Sequence, residues 1–265
     1  MATTRTALVA IISTSLLALG TATANAGFSS FIIRNASGTN NPPSIVFPNN
    51  DYQPGATEFV IAEGGQKAAW GSSDIDGYMV GDITRLAITR LDDRTRFTPG
   101  SGPYVAPYFN IWITDGLGKF AVIANEPSDS DFQSLYSNGY ALDWADISDK
   151  VAKVYENSDQ SWLPNGGVGL TFADLANYTI QAPSVAELTT GWPGLGTGAP
   201  RELGTNAAYG FNWVFGDTLS NYVAGAEGYV VIDPVATAVP EPATIALVAM
   251  GGLMSFLVVR RRSRG

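Results

Sequence analysis

Residues 108–124 read Tyr108-Phe109-Asn110-Ile111-Trp112-Ile113-Thr114-Asp115-Gly116-Leu117-Gly118-Lys119-Phe120-Ala121-Val122-Ile123-Ala124. Two apolar runs rich in β-branched and aromatic residues flank an Asp-Gly-Leu-Gly turn signal. That predicts a hairpin, with strands over 108–114 and 119–124. Alternation puts Phe109, Ile111 and Ile113 on a core face, and Tyr108, Asn110, Trp112 and Thr114 on the other. A turn of two or of four residues sends Phe120, Val122 and Ala124 to the core face as well, which leaves Ile123 on the far side.

The same texture of short apolar runs cut by turn residues extends in both directions and predicts strands over 30–33, 44–47, 58–62, 78–80, 211–215 and 229–232. Residues 83–91 carry both periods and are read as a strand for their Thr and Ile content. Helical spacing of Ile147, Val151, Val154 and Tyr155 predicts a helix over 147–156, while Thr171 with Asp174 and Ser184 with Glu187 have the spacing of helix starts. The fold class is mainly β, a β-sandwich or jelly roll with a few short helices, in one exported domain over 27–238. The Gly- and Pro-rich run 191–200 reads as a loop within that domain.

Composition narrows the chemistry. The chain has 265 residues with no Cys and no His, which excludes disulfide frameworks, Cys/His zinc sites, cysteine nucleophiles and the Ser-His-Asp triad. Charged residues make up 15%, with 29 Gly and 15 Pro, a balance unlike a coiled coil or a basic nucleic-acid binder. Residues 27–239 hold 10 Lys and Arg against 23 Asp and Glu, a net charge of −13 that repels nucleic acid and acidic polysaccharide. Neutral glycans, cations and basic surfaces stay admissible partners.

Both termini read as addresses. Arg5, a largely apolar run over 7–19 and the small residues Ala24 and Ala26 around Asn25 form a secretory signal peptide over 1–26, whose removal by signal peptidase leaves Gly27 first. At the other end Pro240-Glu241-Pro242 precedes an uncharged run over 243–259 and then Arg260, Arg261, Arg262 and Arg264. As a helix that run reaches about 25 Å, enough for one transmembrane span, and the arginines hold its end in the cytoplasm.

A Pro-Glu-Pro triplet, one span and an arginine cluster, on a chain with a signal peptide, resemble the PEP-CTERM sorting tail of Gram-negative bacteria, here over 239–265. The resemblance implies an exosortase as partner, a transient membrane anchor through the tail, processing near the triplet, and a final place at the cell surface or outside it. It implies nothing about what the exported domain does.

For that domain the residues offer candidates. Tyr108, Asn110 and Trp112 share a strand face, and two rings with an amide between them suit a neutral glycan, although Ile123 shares that face and plain packing is the commoner reason for such rings. Asp74 with Asp76, and Asp129 with Asp131, are candidate calcium loops that do not complete the EF-hand spacing; no other cofactor is expected. No catalytic motif is present, and the expected role is a non-catalytic protein of the exopolysaccharide or biofilm matrix. The alternative is a secreted polysaccharide hydrolase with paired carboxylates, a mechanism that needs no His.

Overall fold

The computed structural model describes residues 27–36, 41–49, 51–92, 107–125, 131–132, 141–155, 159–186, 208–216 and 228–239. They build two antiparallel sheets. The larger runs β1 (Ser29–Arg34), β4 (Lys67–Ser72), β11 (Phe211–Phe215), β6 (Tyr108–Thr114), β7 (Phe120–Ala124), β9 (Lys153–Tyr155), with β10 (Thr179–Ile180) pairing β6 past the end of β11. The smaller runs β2 (Ser44–Val46), β3 (Thr57–Val60), β12 (Gly228–Ala238), β5 (Ile83–Arg90), β8 (Ala141–Leu142).

One core lies between the sheets. Phe59 of the smaller sheet stacks on Phe215 of the larger with ring centroids 4.1 Å apart and meets Trp70 edge-on at 5.6 Å. Phe109, Ile111 and Ile113 of β6, Ala121 and Ile123 of β7, and Leu86, Ile88 and Val231 opposite complete the layer. At about 1.5–3 kcal/mol per buried large side chain, this layer is what holds the sheets together. The architecture is the two-sheet, mainly β arrangement that the alternating runs imply.

The hairpin exists, with a different turn. Thr114 pairs with Phe120, so the turn holds five residues, 115–119. Asp115 Oδ1 accepts from the Leu117 amide at 2.8 Å and the Lys119 amide at 3.1 Å, while Thr114 Oγ1 donates to the Lys119 carbonyl at 2.8 Å. Gly116 and Gly118 take φ of +73° and +96°, a region that costs a side-chain-bearing residue strain. An odd turn reverses the faces of β7: Ala121 and Ile123 enter the core, and Phe120, Val122 and Ala124 join Trp112 and Tyr108 outside it.

Other expectations are corrected too. Residues 78–80 form a turn with an isolated bridge from Met79 to Thr179, followed by a 3-10 turn, Val80–Asp82, because the Val80 and Gly81 amides bond the Tyr178 and Ala176 carbonyls. The helix expected over 147–156 is α1 (Trp144–Ile147), capped by Asp143 and Asp146 bonding each other's amides. Lys153–Tyr155 instead adds an edge strand to β7, which pairs Val154 with Ile123. Thr171 and Asp174 do bond reciprocally, at 2.9 and 3.2 Å, but start only a run of turns. Glu187, the signal peptide over 1–26 and the tail from 240 lie outside the described residues, and no helix among the described residues is long and apolar enough to cross a membrane.

Candidate functional site

The outer face of the larger sheet carries the three residues picked for glycan contact. Tyr108, Asn110 and Trp112 share that face, as alternation requires, yet they are 6%, 0% and 0% exposed. They are not a surface platform. Phe120 and Val122 pack with Trp112, and Ala124 with Tyr108; Tyr155, Ala182, Ala208 and Tyr209 lie against them. The reversed faces of β7 supply the apolar area that makes this side worth covering.

Inside that layer sits a polar pair that one strand cannot reveal. Asn212 of β11 stands opposite Asn110 of β6, and opposite Gly71 of β4 on its other side. Gly71 is required there, because a Cβ would overlap the Tyr209 ring and Asn212 Oδ1. Asn212 Nδ2 donates to the Tyr209 carbonyl at 3.0 Å. Asn212 Oδ1 and both polar atoms of Asn110 are buried without a hydrogen-bond partner among the described residues. Each such group costs about 1–3 kcal/mol. Asn125, also buried, differs: its Oδ1 accepts from the Phe109 amide at 2.7 Å.

Asp74 and Asp76 occupy the turn that leaves β4. Asp74 Oδ2 and Asp76 Oδ1 are buried and accept no hydrogen bond from a described residue. Burial pushes the Asp76 carboxyl up to about 6; Ser73 and the Gly210 amide offset this in part, and neighbouring Asp74 adds to it. The turn gathers two carboxylates, and no group of three or more His, Cys, Asp or Glu suited to a metal occurs among the described residues. Asp131 belongs to another segment, and Asp129 lies outside the described residues.

The third feature is where β12 stops. Gly228 to Val231 pair with β3, and β5 pairs β12 from Val231 to Ala238, with register shifts after Ile232 and after Thr237. The last bonds are from the Val239 amide to the Asp82 carbonyl at 2.8 Å and between Thr84 and Thr237, whose Oγ1 atoms are 2.8 Å apart. Pro240 follows at once, with no linker.

The family model described as the PEP-CTERM protein-sorting motif matches residues 238–262. The match bears out the resemblance of the tail and covers Pro240, Glu241, Pro242, Arg260, Arg261 and Arg262. Ala238, its first residue, is also the last residue of β12. No curated protein and no solved structure matches the chain. The chain thus carries a PEP-CTERM sorting motif, which supports export and sorting of the exosortase type.

Proposed function

We propose that the exported domain is a non-catalytic component of the cell surface or extracellular matrix, associated with neutral exopolysaccharide and delivered there by its tail. The observation that carries this reading is the junction of a sorting motif with a packed β-sandwich. The net charge of −13 over 27–239 favours neutral over acidic polymers. Signal peptidase and the sorting enzyme act on the chain in transit, and the membrane holds it through residues 243–259 until the tail is removed.

A second reading has one observation in its favour. Asp76, protonated up to about pH 6 beside Asp74, has the character of an acid in a carboxylate pair, which is what a polysaccharide hydrolase uses. One experiment separates the two. The mature surface protein, run through gels containing neutral matrix polysaccharide, is expected to be retarded without releasing reducing ends. Release of reducing ends that stops in Asp76→Asn would replace the matrix reading by the hydrolase. Neither retardation nor release would leave a coat component without a glycan ligand.

A further inference from the structure

The sorting motif begins inside a hydrogen-bonded strand, and this constrains the enzyme that processes it. From Val239 to Ala243 the chain has four residues of reach, roughly 13–14 Å when fully extended. Whatever engages Pro240, Glu241 and Pro242 therefore works against the end of the sandwich made by Val80–Asp82, the start of β5 and the end of β12. An enzyme that takes a peptide in extended form uses the main-chain groups of several residues. On the near side of the triplet those groups are occupied: Val239 N–H by Asp82, Ala238 by pairing with Ile83, Thr237 by Arg85 and Thr84.

The strand is built to let go only here. Its first residues have β3 on one side, but from Ile232 onward the only strand paired with it among the described residues is β5, across two irregularities of register. Thr237 is exposed, Val239 is 54% exposed, Ala238 is half-buried at the edge of the core, and the first buried residue from this end is Ala236, 2% exposed. Residues 237–239 can separate by lifting only the half-buried Ala238 methyl off the edge of the core, with Ala236 left in place, and they add roughly 10 Å of reach. We infer that the sorting enzyme docks on this end of the sandwich and peels residues 237–239 from β5 before the tail is processed. Removal of the tail is thereby gated by the last residues of β12 and Val239. This rests on the sorting role of the tail.

The test follows tail removal in the full chain by pulse-chase in cells that carry the sorting enzyme. A Gly-Ser hexapeptide inserted between Val239 and Pro240 supplies free chain without peeling, and is expected to speed tail removal severalfold. A rate equal to or below that of the unaltered chain overturns the inference. The chain has no Cys, so Thr84→Cys with Thr237→Cys adds its only thiols, at side chains already in contact. The oxidised form should be processed severalfold more slowly than the reduced form, and equal rates overturn the inference as well. Glu241→Ala tests the underlying reading separately. If that variant is still processed like the unaltered chain, the sorting role fails and the gating falls with it.

Discussion

Asp76 shows how a single buried group sets a pH dependence. Its folded value of about 6 stands above the ordinary 3.8, so on raising the pH the unfolded chain loses this proton first. Between about pH 4 and pH 6 the folded state binds more protons, and stability falls as the pH rises; above pH 6 the whole cost of the buried charge is present. Asp76→Asn is expected to be more stable than the unaltered protein at pH 8 by about 1–2 kcal/mol, allowing for partial exposure, with the difference fading by about pH 4. Urea titrations at pH 4, 6 and 8 check this, and a difference constant over that range would contradict it. Asn110 and Asn212 form the other costly site at this scale. Asn110 was legible from strand alternation, whereas Asn212 was not, because cross-strand neighbours depend on a register that no local pattern encodes.

The hairpin of β6 and β7 shows what the sequence could and could not specify about an element. Alternation in β6 was readable, and Phe109, Ile111 and Ile113 are core. The faces of β7 depended on the parity of the turn, which Asp115 and Thr114 decide through side-chain bonds to turn amides. β4 was invisible for another reason: Ala68, Ala69 and Gly71 are weak strand formers, chosen because Phe31, Tyr209 and the core rings pack over them. The 147–156 region misled because Ile147 is a core residue and half-buried Val154 packs against the same core, but they reach it from a helical turn and from an edge strand. Nothing lies within 4 Å of a Cβ built at Gly118, so Gly118→Val tests the turn through backbone strain alone. It should destabilise by about 1–2 kcal/mol in thermal or urea unfolding. An unchanged midpoint would mean that the left-handed conformation at +96° is not needed.

At the scale of the whole molecule a packed sandwich runs directly into a sorting motif, whose first residue, Ala238, is the last residue of β12. The tail was legible because it is a linear signal of residue types, in which triplet, span and arginines act by chemistry and length. Its attachment to β12 was not legible, since β12 is 11 residues long and continues through Asp233 and Pro234, residues that normally end a strand. Asp233 takes a φ of +53° at the irregularity that carries the strand onward to Ala238 and so to the motif. The central claim is that this sandwich is exported and parted from its tail. Intact-mass analysis of the protein recovered from the cell surface tests it most directly. The account predicts a chain that begins at Gly27 and lacks residues 243–265; a surface form that still carries them would contradict it and leave a plain membrane anchor in place of a sorting signal.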